Sequence, residues 1–183
     1  MTAVASGGVG GAAGASVNVD QIGGTTRAYV ENMPFMNDDP NSVSTADENV
    51  QVMAANHAMV ASSATALAIG AVGVAGAVGT EMVDRTTKAE VINSALRSQN
   101  NVAVQAVSTN SVAQISAGGG GGASVGIAGS GDVVLLRANT VASLDRARIY
   151  ANDFSVLADG RNSTNLIAGA VGAAGGVGAG VSF

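Results

Sequence analysis

The chain has 183 residues, of which 26 are Gly, 47% are apolar, 11% charged and 3% aromatic. A net charge of −5, with eight Lys and Arg scattered along the chain, argues against nucleic acid, because phosphate binding needs clustered cations. The absence of Cys excludes disulfides and thiolate metal sites, and three Phe, two Tyr and no Trp are too few to fill an ordinary globular core.

The apolar content comes mainly from Ala and Val, so any core must be thin, with backbones close together. Stacked β-coils provide such a core, and so do tightly packed membrane helices. No N-terminal signal is visible, and Met1 runs at once into Gly-rich, repeat-like sequence. The chain therefore reads as a fragment of something longer, with Met1 added for expression.

Gly7 to Val19 is the first of several Gly/Ala/Val-rich stretches. It is followed by Thr25-Thr26-Arg27-Ala28-Tyr29-Val30, where apolar and polar residues alternate as in a strand with one buried face. Next comes Asn32-Met33-Pro34-Phe35-Met36-Asn37-Asp38-Asp39-Pro40-Asn41, which holds both prolines of the chain. Proline cannot serve a central strand, so residues 32–41 are expected to form a loop leaving the scaffold. Phe35, Asn37, Asp38 and Asp39 are the candidate binding residues, since recognition groups are often displayed on loops held by a rigid frame. Asp38 and Asp39, with Asp47 and Glu48, could offer oxygens to Ca²⁺, but the spacing of a Ca²⁺ loop is missing and a solvated acidic loop is the preferred reading.

Asn49-Val50-Gln51-Val52-Met53-Ala54 opens the most informative pattern. It returns 52 residues later as Asn101-Val102-Ala103-Val104-Gln105-Ala106, and after another 52 as Asp153-Phe154-Ser155-Val156-Leu157-Ala158. A fixed period of this size marks stacked, quasi-one-dimensional architecture. Residues 50, 52 and 54 and their equivalents are expected to point inward, with 51 and 53 outward. Ala28 to Ala54 spans 26 residues against 17 for Ala89 to Ala106, so the first repeat carries about nine extra residues, within 32–41.

His57, the only histidine, is expected at a surface corner, because nothing nominates metal or triad partners for it. Ala58 to Gly79 and Ser163 to Phe183 are uncharged and long enough for membrane helices, but Ala, Gly, Ser and Thr give weak insertion energy and the spans recur at the repeat period. Ala66 to Gly79, Gly118 to Gly131 and Ala168 to Gly180 repeat the Gly-rich stretch, which suggests a tightly packed face where Cβ atoms would clash. Gly118 to Gly122 lacks the Gly-Lys-(Ser/Thr) ending of a phosphate loop.

The Thr-rich strand returns as Thr86-Thr87-Lys88-Ala89-Glu90-Val91 and, more loosely, at Thr140. Asp84-Arg85 and Asp145-Arg146, with Arg148, could suggest the acids and bases of a β-helical polysaccharide enzyme. Asp84 and Asp145 fall near equivalent positions, which repetition explains without catalysis. Asn49, Asn101 and Asp153, and likewise Asn110 and Asn162, are expected at corners and aligned into ladders. Asn162-Ser163-Thr164 matches a glycosylation sequon, as one match in an Asn- and Ser-rich chain will by chance.

A Gly/Val/Ala run, then Thr-Thr-(Lys/Arg)-Ala-(Tyr/Glu)-Val, then Asn-Val-x-Val-x-Ala resembles the repetitive shafts of very large secreted bacterial surface proteins of the filamentous-haemagglutinin and leukotoxin type. The resemblance covers nearly the whole chain, with motifs of low information. It implies a right-handed parallel β-helix, a secreted or bacterial cell-surface location, and export of the full-length protein with an outer-membrane secretion partner.

The resulting expectation is an all-β chain forming a single β-solenoid segment over residues 1–183. Its repeats are near 12–65, 66–117 and 118–170, with a partial one at 171–183. Dividing 52 residues into three coils of about 17 predicts ten or so coils and a rod roughly 45–50 Å long at the usual strand spacing. The expected function is that of a structural and adhesive shaft, with no enzyme activity and no cofactor. Its expected partners are a host or neighbouring-cell surface ligand, protein or glycan, and other copies end to end. A polysaccharide-active β-helix enzyme and a Gly-zipper membrane or pore-forming segment are the alternatives.

Overall fold

A computed structural model describes residues 2–33 and 49–183. The described chain is all β: β1 (Thr2–Gly7), β2 (Gly11–Glu31), β3 (Val50–Ile92), β4 (Ala95–Arg97), β5 (Asn101–Asp145), β6 (Arg148–Tyr150), β7 (Asp153–Ala174) and β8 (Val177–Ser182). Every pairing is parallel. β1 and β2 lie on β3, β3 on β5, and β5 on β7 and β8, while the short β4 and β6 pair with each other.

The register fixes the coil. Val50 pairs with Val102 and Asn101 with Asp153, each a separation of 52. One period is therefore one complete layer, in place of the three coils expected from dividing it. Four layers are stacked, and at the usual strand spacing the first and last lie only about 15 Å apart. The stack is wide and shallow, not a rod of ten coils. What the division by three overlooked is strand length: β3 alone runs for 43 residues.

β3 and β5 are each a flattened arch, while β1 with β2 and β7 with β8 supply the two arms of the outer layers. In β3, buried residues fall on even numbers from Val52 to Ala68 and on odd numbers from Gly73 to Val91, so both arms turn the same face inward. Ala64, Ala66 and Ala68 meet Ala75 and Ala77 near the tip. Val60 meets Val83 midway, and Val52 and Ala54 meet Ala89 and Val91 at the base. The arch turns at residues 70–72, where the register slips by one against β5 and becomes 53.

The base is closed by the short strands. Leu96 of β4 seals the Val52, Ala89, Val91 and Val104 cluster, with Ile149 of β6 packed against it. Three left-handed residues make the corner into this side: Asn32, Asn93 and Arg146, with φ of 55°, 45° and 49°. They stack in consecutive layers, Asn93 donating its side-chain amide to Asn32 Oδ1 at 2.9 Å. Asn is among the few non-Gly residues that accept this conformation readily.

The glycines serve close approach and not turning, for no described glycine has a positive φ. A Cβ on Gly118, Gly120 or Gly122 would fall closer than 3.0 Å to a carbonyl of Gly129, Ile127 or Val125 on the facing arm. Gly172 and Gly180 repeat the arrangement one layer up, against Ala179 and Ala170. Near the tip, backbone therefore packs on backbone through Gly and Ala, as the Gly-rich stretches led one to expect.

β2 pairs with β3 at a separation of 61, nine more than 52, and the excess lies between Glu31 and Val50; of the loop expected at 32–41, residues 34–41 lie outside the described residues. Other expectations need correction. His57 lies within β3, seven residues from its start and not at a corner, because the strand continues past Ala54; its odd position turns it outward. Asn110 is buried mid-strand and not at a corner. The stretches considered for membrane helices are strands of the arch, and no helix among the described residues is long and apolar enough to cross a membrane.

Candidate functional site

Charge divides the molecule. On β3 no charged side chain occurs from Val50 to Thr80, while Glu81, Asp84, Arg85, Lys88 and Glu90 occupy the return arm toward the base. The outer faces near the tip carry exposed Leu67, Ile69, Val74 and Ile127. Charged side chains thus concentrate toward the base, where shallow grooves lie.

The first groove, about 390 Å³, runs across the starts of β3, β5 and β7 and is lined by the Asn49, Asn101 and Asp153 ladder with Gln51, Phe154 and Ser155. These residues stack because each begins its layer at the same register, as expected for this motif. Asn49 Oδ1 accepts from the Asn101 backbone N–H at 3.2 Å, and Gln51 donates to Gln105 Oε1 at 3.4 Å. Such a ladder presents amide and carboxylate groups at the spacing of successive layers, about 4.8 Å.

The second, about 470 Å³, lies on the return arm among Thr25, Arg27, Thr86, Lys88, Glu90 and Asn139. Arg27 Nε bonds Glu90 across the layers and its guanidinium stands 4.3 Å over the Tyr29 ring. Thr25, Thr86 and Asn139 form one outward column, so the loosened third copy of the Thr motif still keeps its place.

Phe35, Asn37, Asp38 and Asp39 lie outside the described residues, as do Asp47 and Glu48. The described flanks root that segment at the base. Met33 N–H bonds Ser94 Oγ at 3.1 Å and the Met33 carbonyl accepts from Ala95 at 3.0 Å, while Asn49 lines the first groove.

Asp84 and Asp145 are not brought together. Asp84 pairs with Arg137 and Asp145 with Ile92, so the two carboxylates are offset by eight residues, roughly 25 Å along the arm. The two are 61 residues apart in a region where the layers are 53 apart, so they were never equivalent positions. No group of three or more His, Cys, Asp or Glu that could hold a metal ion occurs among the described residues.

Two features escaped sequence reading. One is the corner ladder of Asn32, Asn93 and Arg146. The other is a buried polar cluster of Glu81 and Asp132, diagonal neighbours on the return arm, with Gln114 on the facing arm, none with a well-formed hydrogen bond for its side-chain oxygens. The corner residues are 61 and 53 apart and the two acids 51, so neither feature is a 52-residue repeat. Comparison with protein families, curated proteins and solved structures finds no match.

Proposed function

We propose that the chain is a structural and adhesive shaft segment of a large secreted or cell-surface bacterial protein. It extends the molecule by stacking and carries recognition groups at the base of its layers. The observation that supports this most is the unbroken register. Residue i meets residue i+52 or i+53 along whole arms, so layers can be added without disturbing those below. Polar display then recurs at the same edge of successive layers. The partner is a protein or glycan on a host or neighbouring cell, and the full-length protein is exported by an outer-membrane secretion partner.

Display of the chain on a non-adherent bacterium, with and without residues 32–41, tests this reading. Adhesion to host cells or to a glycan array that falls at least tenfold on deletion is the expected result. No adhesion by the intact chain, or release of reducing sugar from a bound polysaccharide, would replace this reading with a spacer or an enzyme.

A further inference from the structure

The middle of the arch holds acids where an apolar stripe would be expected. Asp20 of β2 pairs directly with Glu81 of β3, both on the inward face. Asp132 of β5 pairs with Gly79, two residues before Glu81 on the same face, and is therefore Glu81's diagonal neighbour in the next layer. On the opposite arm Ser62 and Gln114 stack on each other. Glu81 and Gln114 are both 0% exposed. A Cβ on Gly79 would come closer than 3.0 Å to the Gln114 amide and to Asp132 Oδ1, so these two side chains share the space that Gly79 leaves open.

No cation answers the acids. Both oxygens of Glu81 and both of Asp132 are buried without a well-formed hydrogen bond, and so is the Gln114 amide. Asp20 accepts one bond, from Asn18 Nδ2 at 2.8 Å. The nearest basic residue on the inward face is Arg85, four residues along the arm from Glu81, roughly 13 Å away. Leu166 continues the Ser62 and Gln114 column in the last layer and brings no charge.

We propose that Glu81, crowded by Asp20 and Asp132, is a proton-operated latch between the layers, closed while its carboxyl is protonated and loosened when it ionises. An ionised Glu81, out of water, without a counter-ion and beside the acids Asp20 and Asp132 of the adjacent layers, would be repelled and lose hydration. A protonated carboxyl has an O–H donor that a carboxylate lacks, so protonation lets Glu81 donate to the Asp132 or Gln114 oxygens that are otherwise unmet. Burial pushes the Glu81 carboxyl above its ordinary value, the charges of Asp20 and Asp132 push the same way, and the nearby Ser62 hydroxyl opposes them.

The sign follows from that direction. A carboxyl raised in the folded state contributes stability that is fully present below the unfolded value of 4.5 and is lost as pH rises through the folded value. Within that window the unfolding constant rises by up to about tenfold per pH unit for one such group. The stack is then firmest in mild acid and loosens toward neutrality.

Thermal unfolding of the whole chain between pH 4 and pH 8 tests the latch, with Glu81→Gln as the variant and Asp84→Asn, an outward acid of the same arm, as the charge control. The wild type and Asp84→Asn are expected to melt lower as pH rises. Glu81→Gln is expected to lose most of that slope and to melt above the wild type at pH 8. Should Glu81→Gln fail to fold, infrared spectroscopy of the wild type from pH 4 to pH 8 decides, the expected result being a protonated-carboxyl band that persists to higher pH in the folded protein than in the unfolded one. A slope unchanged in Glu81→Gln, no such band, or stability at pH 8 that needs added Ca²⁺ and is removed by chelator would overturn the proposal.

Discussion

Asn110 donates its side-chain amide to Oδ1 of Asn162 at 2.9 Å, 52 residues further along the chain, from a position that is 1% exposed. The same amide reaches Ser108 Oγ at 3.2 Å. This ladder ties the third layer to the fourth through the interior, where a bonded polar group costs far less than an unbonded one. Asn110→Ala is expected to cost about 1–3 kcal/mol, and a double-mutant cycle with Asn162→Ala to give a coupling of about 0.5–1.5 kcal/mol by urea denaturation. Strictly additive costs would mean the two side chains do not interact in solution.

The Gly-rich tip gives a paired test. Gly120→Ala would place a Cβ closer than 3.0 Å to the Ile127 carbonyl, backbone against backbone, with no side chain free to move aside. A loss of about 3 kcal/mol or more is expected, at the upper end of overpacking costs. Gly76 has nothing within 4 Å of an added Cβ. Gly76→Ala should therefore be neutral or stabilising by about 0.5–1 kcal/mol, as Gly is unfavourable within a strand. Equal effects at the two sites in calorimetry would contradict the facing-arm arrangement.

The corner ladder predicts opposite effects of two changes. Arg146 holds φ of 49° with an exposed side chain, so Arg146→Gly is expected to stabilise by up to about 1 kcal/mol, the relief of strain being partly offset by a more disordered unfolded chain. Asn93→Val is expected to destabilise by about 1–3 kcal/mol, because a β-branched residue tolerates φ of 45° poorly and the bond to Asn32 is lost. Thermal melts of the two variants check both signs.

The legible part of this fold was the part that repeats without interruption. Val50, Val52 and Ala54 share a phase with Val102, Val104 and Ala106, and alternation alone assigned their inward face. The nine-residue excess between Glu31 and Val50 was legible for the same reason. The number of layers per period was not, because a 43-residue strand folded on itself has the same alternation as several short strands. The period gives a separation between equivalent residues but says nothing of how many times the chain passes between them. The pairing of Asp20 with Glu81 was hidden by the extra residues between Glu31 and Val50, and Asp132 by its diagonal place, 51 residues from Glu81.

The surface ion pair is expected to matter little. Arg27 and Glu90 are partly exposed, so Arg27→Ala should cost less than about 1 kcal/mol, and the difference should shrink in 1 M salt. A larger loss that persists in salt would assign the stacking of Arg27 on Tyr29 the greater part.

The central claim is that 52 residues make one layer, and the absence of native Cys allows a direct measurement. Met53 and Gln105 point outward and are paired in register. Their Cα atoms should therefore lie about 5 Å apart, within the range a disulfide bridges. Met53→Cys with Gln105→Cys is expected to form an intramolecular disulfide on mild oxidation without loss of the β signal. Met53→Cys with Ile69→Cys, 16 residues along the same arm and roughly 50 Å apart, should not. Bridging of the second pair and not the first would show coils of about 17 residues and contradict the single-layer arch.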